Sequence, residues 1–113
     1  MITHVKGKLV EKNPTYVVVE CSGIGYHINI SLTTYDQIKD EENIFLYTHL
    51  QIKEDSHSLF GFFEIGERSI FKLLISVSGI GPSVARTMLS SLSSNEIKNA
   101  ILSNDIEKIK SIK

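Results

Sequence analysis

Two glycines, Gly79 and Gly81, enclose one isoleucine between two stretches in which apolar residues recur at helical spacing, residues 70–77 and 84–92. The predicted apolar face of the first stretch is formed by Ile70, Leu73, Leu74 and Val77. Glycine allows the tight backbone turn that such a connection needs. Pro82 suits the first position of the second helix, where its missing N–H is not required. A turn of this kind directs backbone N–H groups outward at the positive end of a helix dipole. Phosphate is the usual ligand of such a position.

An apolar helix, Gly-apolar-Gly and an amphipathic helix are typical of a helix–hairpin–helix, a module that grips the DNA backbone without reading bases. We therefore take Gly79, Ile80 and Gly81 as candidate phosphate-binding residues. An ordinary helix–helix corner, in which the glycines serve only to make the turn tight, is the alternative that these residues leave open.

Two adjacent carboxylates, Glu54 and Asp55, lie in a short polar stretch between two predicted strands. Acidic residues are common at surface turns, and this is the simpler interpretation. On a DNA-binding surface the same pair would repel nearby phosphates, and could keep strands apart or steer them.

No catalytic or metal-binding constellation is evident. The four histidines, His4, His27, His49 and His57, lack metal-ligand spacing. The turn has neither the Gly-Lys-Ser/Thr of a nucleotide-binding loop nor the third glycine of a dinucleotide turn. We therefore predict a protein that is not an enzyme and has no metal and no cofactor. A helix–hairpin–helix glycosylase is the enzymatic alternative, for which this chain leaves little room.

Charge is unevenly distributed along the 113 residues, although the net charge is only −1. Residues 1–65 hold five Lys/Arg and nine Asp/Glu, whereas residues 66–113 hold seven and four. The positive half carries the Gly-x-Gly turn, which favours a phosphate partner there. The chain has no apolar run long enough to span a membrane and no signal sequence at its start, so we predict a cytoplasmic protein. The single cysteine, Cys21, is predicted to be a buried structural thiol.

Alternating and valine-rich segments predict five antiparallel strands in residues 1–64, with one possible helical turn in residues 32–40. The strands are Val5–Val10, Tyr16–Cys21, Tyr26–Ser31, Ile44–Ile52 and Ser58–Phe63. In the fourth strand, alternation places Ile44, Leu46, Leu50 and Ile52 on one buried face. In the third strand, it places His27, Asn29 and Ser31 on the solvent face. A small closed barrel of the OB-fold type is the leading fold, and a five-stranded sandwich fits almost as well. Residues 65–113 are predicted to form a helical domain, with a capping box at Ser93–Glu96 and a last helix after Asn104-Asp105.

Taken together, these features resemble the RuvA family, the Holliday-junction-binding subunits of the bacterial branch-migration complex. The resemblance rests on the order of a five-stranded β domain, Glu54-Asp55 followed by Leu59-Phe60-Gly61-Phe62, then Glu67-Arg68 and Ser78-Gly79-Ile80-Gly81-Pro82. It covers essentially the whole chain.

The resemblance implies a homotetramer that holds a four-way junction open for DNA recombination and repair. Glu54 and Asp55 match the family's acidic pin at the crossover, and residues 79–81 match its first phosphate-binding hairpin. The motor would be a separate partner, the RuvB ATPase. A single-strand DNA-binding OB module is a further alternative, although the acidic β half and its dispersed aromatic residues do not favour it.

Two departures from the family pattern concern the hairpins. Family members commonly carry Lys or Arg where this chain has Ser83, so the hairpin would bind phosphate without that charge. Arg86, one turn further, is a candidate to compensate. A second hairpin and a C-terminal RuvB-contacting domain would follow Lys113 in the family, so the resemblance implies an N-terminal fragment.

Overall fold

The computed structural model describes residues 2–38, 42–92, 95–97 and 99. Five strands and three helices follow one another along the chain. They are β1 (His4–Lys12), β2 (Tyr16–Cys21), β3 (Ile24–Asn29), α1 (Leu32–Gln37), β4 (Asn43–Lys53), β5 (Ser56–Phe62), α2 (Ile65–Ile75) and α3 (Pro82–Ser91). The capping-box residues Ser93 and Ser94 and the predicted helix after Asn104 lie outside the described residues.

The five strands form a closed barrel in the order β1-β2-β3-β5-β4, because β1 pairs with both β2 and β4. This arrangement confirms the OB-type barrel and excludes the sandwich. The expectation that all strands are antiparallel was wrong, since β3 and β5 pair in parallel through Ile28 with Leu59 and Asn29 with Phe60. Helix α1 follows β3 and precedes β4 in the chain.

Strand β3 begins two residues earlier than predicted. The hairpin between β2 and β3 uses only Ser22 and Gly23, whose φ angles are 51° and 85°. Two consecutive positive φ values make a turn whose twist matches the strands, so pairing starts at once with Cys21 opposite Ile24. The predicted end of this strand at Ser31 was also wrong, because β3 ends at Asn29. Ser31 is buried and is the N-cap of α1, although it was predicted to face solvent.

Strand β4 extends well beyond the barrel. Ile44 and Leu46 are buried as predicted, Leu50 is half-buried, and Ile52 is 56% exposed although the alternation placed it on the buried face. The reason is that β4 pairs with β1 only up to Tyr47. In the part of the chain that the structure describes, residues 51–53 and 56–58 pair only with each other and form a free two-stranded ribbon.

Two apolar clusters hold the molecule together. One fills the barrel, and the half-buried Cys21 packs against it while its thiol donates to the carbonyl oxygen of Lys6. The other packs α2 and α3 against Phe60 and Phe62 of β5. Its central residue is Phe71, which is fully buried, whereas Leu73, predicted for this face, is 49% exposed. Strand β5 therefore contributes to both cores.

A buried carboxylate, Glu67, joins the barrel to α2. Its two oxygens accept hydrogen bonds from the hydroxyls of Ser31 and Thr34. Each hydroxyl also accepts a backbone N–H, from Thr34 at the start of α1 and from Phe63 at the end of β5. Burial raises the pKa of Glu67 above its ordinary value of 4.5, and the charge of Glu64 adds to this effect. The hydroxyl bonds oppose the shift without cancelling it.

None of the helices in the described ranges is long and apolar enough to cross a membrane.

The raised pKa of Glu67 predicts a pH-dependent contribution to stability. The folded chain binds this proton more tightly than the unfolded chain, so the contribution is complete below the ordinary pKa of 4.5. It is lost as the pH rises through the raised pKa of the folded state. The free energy of unfolding of the unsubstituted chain, minus that of Glu67→Gln, is expected to fall over this window, by at most about 1.4 kcal/mol per pH unit. Urea titrations at several pH values measure the difference, and a difference independent of pH would contradict the prediction.

Candidate nucleic-acid interface

The turn between α2 and α3 is built from backbone hydrogen bonds. The N–H groups of Ser76 and Val77 bond to the carbonyl oxygens of Leu73 and Leu74, at 3.2 and 3.0 Å, and end α2. Gly79 then takes a φ of 90°, in the left-handed region that side chains disfavour. The predicted Gly-x-Gly turn between two helices is therefore present, and Gly79 is the residue on which its course depends.

Helix α3 begins with N–H groups that face away from the helix body. Gly81 is its N-cap, with an extended backbone, and Pro82 follows at the first position as predicted. The first backbone bond of the helix runs from Ala85 N to Gly81 O at 2.9 Å. The N–H groups of Ser83 and Val84 precede that bond, so they lack an intrahelical acceptor. Both residues and Gly81 are exposed, so an anion can reach this positive end of the helix.

Ile80 differs from its neighbours in the turn. Its side chain is buried in the helical core, and its N–H donates to Val77 O at 3.1 Å. Its backbone donor is thus already used inside the protein. Ile80 anchors the turn to the core, and the glycines on either side carry the exposed part of it.

The Arg86 side chain is directed at the barrel. Its Nη1 donates to the carbonyl oxygen of Thr15, in the β1–β2 turn, at 3.0 Å. A guanidinium has five N–H donors, so this bond leaves donors that a phosphate could use. Arg86 nevertheless has a structural contact that could not be detected from the sequence.

Two cationic residues of α2, Lys72 and Arg68, were not predicted from the sequence to belong to the interface. Lys72 is exposed in the last turn of the helix, close to the start of the Gly-x-Gly turn. Its position near the predicted end of the helix was the sequence feature that could have identified Lys72 as a candidate phosphate ligand. Arg68 lies one turn earlier, and its Nη1 donates to Thr3 O at 2.9 Å while the guanidinium lies 5.4 Å from the Tyr47 ring centroid.

Glu54 and Asp55 form the tip of the β4–β5 ribbon. Lys53 pairs with Ser56, so the two carboxylates are the whole of a two-residue turn. The predicted strands left a longer turn, residues 53–57, with the acidic pair at its tip. The position of the pair was therefore predicted, but the strands pair closer to it than expected. Both side chains are exposed. They lie on a different element from the Gly-x-Gly turn, and the shared core through Phe60 and Phe62 connects the two elements.

The histidines occupy separate places on the barrel. His4 stacks on Phe45, with ring centroids 4.9 Å apart, and His49 packs near Phe71. His27 stacks on Tyr16, where a hydrogen bond to Glu11 raises the pKa of the tyrosine hydroxyl. Among the described residues, no group of three His, Cys, Asp or Glu side chains could hold a metal ion.

Comparison with known proteins agrees with this architecture. Residues 1–61 match the family described as RuvA N terminal domain, and residues 71–113 match the one described as SAM-like Helix-hairpin-helix tandem. The chain is 63% and 61% identical, over its full length, to proteins of Christiangramia forsetii and Flavobacterium psychrophilum named Holliday junction branch migration complex subunit RuvA. It spans 58% of the length of each of these relatives. Because the first match covers more than half of the chain, the chain belongs to the RuvA family.

Proposed function

We propose that this chain is the junction-binding part of a non-catalytic subunit that acts on Holliday junctions in DNA recombination and repair. One observation carries the proposal. An exposed, positively polarised helix start and an exposed acidic hairpin tip belong to one packed unit. The name of the relatives, Holliday junction branch migration complex subunit RuvA, supports it.

The turn would hold a duplex arm by its phosphates. Gly79 and Gly81 present no side chain, so a phosphate can approach the N–H groups of Ser83 and Val84 closely. These contacts join the backbone of the protein to the backbone of the DNA, so binding through them does not depend on the base sequence. Ser83 adds a neutral hydroxyl. Lys72 and the remaining donors of Arg86 supply the nearby positive charge.

The acidic tip would act at the crossover, where strands exchange partners. Two carboxylates close to phosphates repel them, and at about 0.15 M salt this repulsion extends over about 8 Å. Glu54 and Asp55 would therefore keep the exchanging strands apart and stop the duplex from closing over the crossover. An ordinary duplex bound at the turn has no strands in that position.

The remaining parts of the proposal concern assembly. We propose a homotetramer around the four-way junction, with the RuvB ATPase as the motor partner, in the cytoplasm. In this arrangement ATP hydrolysis belongs to the partner and the chain itself supplies binding and geometry.

The first prediction is junction selectivity. In a gel-shift assay, the labelled four-way junction should stay bound in the presence of excess unlabelled duplex of the same sequence. Because phosphate contacts release counterions, binding should weaken steeply when the salt concentration is raised. Equal competition by duplex would contradict the proposal, and preferential competition by single-stranded DNA would favour a single-strand-binding module.

The second prediction asks whether the absence of a side chain at Gly81 matters for DNA binding or for stability of the fold. A Cβ at this position would have no atom within 4 Å, and the backbone is extended, so the fold accepts alanine. The added methyl would occupy the space through which a phosphate approaches. We expect Gly81→Ala to weaken duplex and junction binding about tenfold, while the free energy of unfolding changes by less than about 1 kcal/mol.

Gly66→Ala is the matched control for Gly81→Ala. A Cβ at Gly66 also has no atom within 4 Å, but the residue lies in the first turn of α2. Binding by Gly66→Ala should equal that of the unsubstituted chain. Unchanged binding by Gly81→Ala would remove the turn from the DNA interface.

The third prediction concerns the acidic tip. With a saturating amount of protein, a junction carrying 2-aminopurine beside the crossover should gain fluorescence, because separated strands unstack the probe. The double variant Glu54→Gln, Asp55→Asn removes the repulsion without changing shape, so about half or more of the gain should be lost. Asp36→Asn, at an exposed site on α1, is the control and should keep the full gain. A full gain with the neutral tip would show that its charge does not part the strands.

A further inference from the structure

We infer that Arg68 is a positioning residue, which fixes the acidic ribbon relative to the helix that leads into the phosphate-binding turn. The inference rests on the proposed function, because it concerns how the tip formed by Glu54 and Asp55 is held at the crossover. It assigns Arg68 a role inside the protein, although an arginine beside a DNA-binding turn would ordinarily be taken for a phosphate ligand.

One carbonyl group connects the helix to the foot of the ribbon. Thr3 O accepts a hydrogen bond from Arg68 Nη1 at 2.9 Å and a second from Thr48 N at 3.0 Å. Thr48 belongs to β4 and comes directly after Tyr47, the last residue of β4 that pairs with β1. Arg68 therefore bonds to the same oxygen that fixes β4 where the strand leaves the barrel.

The guanidinium makes a second contact at this foot. It lies 5.4 Å from the centroid of the Tyr47 ring, within the range of a cation–π interaction. Phe71, one turn further along α2, packs near His49, whose ring nitrogen is 3.0 Å from Gln51 Oε1. Three consecutive residues of β4, 47–49, thus contact α2 or share an acceptor with it.

The ribbon above this foot has little other support. Residues 51–53 and 56–58 pair only with each other in the part of the chain that the structure describes. At about 3.4 Å per residue, the carboxylates lie about 15 Å or more beyond Thr48. A small rotation at the foot therefore moves the tip by several ångströms. Because repulsion decays over about 8 Å at physiological salt, such a movement changes the force on the phosphates substantially.

Arginine suits this position better than lysine. The planar guanidinium can donate along its edge to Thr3 O and at the same time present its face to the Tyr47 ring. A lysine would keep the positive charge but cannot form both contacts in this geometry. Charge and positioning can therefore be separated by substitution.

The test uses the 2-aminopurine junction at saturating protein with the variants Arg68→Gln and Arg68→Lys. Both should lose about half or more of the fluorescence gain, because neither retains the two contacts. Lys8→Gln removes the same charge from an exposed position on β1 and should keep the full gain. Duplex affinity of Arg68→Lys should stay within about twofold of the unsubstituted chain, since the turn is unchanged.

A double-mutant cycle asks whether Arg68 acts through the tip. In the background Glu54→Gln, Asp55→Asn, replacing Arg68 should cause no further loss of fluorescence gain, because the tip no longer repels phosphates. Thermal midpoints confirm that each variant is folded, and Arg68→Lys serves if Arg68→Gln is not.

Four results would overturn the inference. Full gain with Arg68→Lys would show that charge alone suffices. An undiminished effect of Arg68 in the neutral-tip background would show that it acts elsewhere, for instance directly on DNA. Junction binding without any fluorescence gain by the unsubstituted chain would refute the acidic tip of the proposed function, and the positioning role with it. A gain that is present and insensitive to Arg68 would refute the positioning role alone.

Discussion

Removing a carboxylate from water is unfavourable, and hydrogen bonds to its lone pairs reduce this cost. Glu67 obtains two such bonds and in doing so brings three elements together. Its oxygens accept the hydroxyls of Ser31 and Thr34, which in turn accept N–H groups at the start of α1 and the end of β5. The direction of α2 relative to the barrel is thereby set at its first turn. The residues of the proposed interface that come later in the chain, from Lys72 to Arg86, are therefore positioned in part by the contact of Glu67 with Ser31 and Thr34.

The apolar core extends the same constraint along the helices. Phe60 and Phe62 of β5 pack against Phe71 of α2. The centroid of the Phe71 ring lies 5.2 Å from that of Phe60 and 5.1 Å from that of Phe62. Because β5 also forms one side of the acidic hairpin, a single strand links the carboxylate tip to the helix pair. Recognition of a branched DNA requires contacts at fixed separations, and a duplex-binding turn alone cannot supply them. Because both elements pack on one core, the distance between the acidic tip and the Gly-x-Gly turn is determined by the fold.

The sequence was sufficient for the regular elements and for the turn, because both follow from local rules. The limits of β2, the position of the acidic pair at the tip of a hairpin and Pro82 at the start of α3 were all predicted from residue type and spacing. The errors arose where partners distant in sequence decide the outcome. Alternation placed Ile52 inside, but the barrel ends before it. Helical spacing placed Leu73 on the buried face and did not include Phe71, whose ring packs near Phe60 and Phe62 of β5 and His49 of β4.

The sequence was least informative about the structural contacts of the arginines. Local reading proposed Arg86 as a phosphate ligand but could not show that its guanidinium also bonds to Thr15 O, or that Arg68 bonds to Thr3 O in the same manner. In the proposed function, a helix start with Ser83 in place of a basic residue would bind phosphate through backbone N–H groups. The strength of such hydrogen bonds depends on their direction more than on nearby charge. Such a site gains less from additional cations than from being held in the correct orientation. Arginines that tie α2 and α3 to barrel carbonyls are therefore consistent with a surface that recognises the shape of DNA through rigid placement.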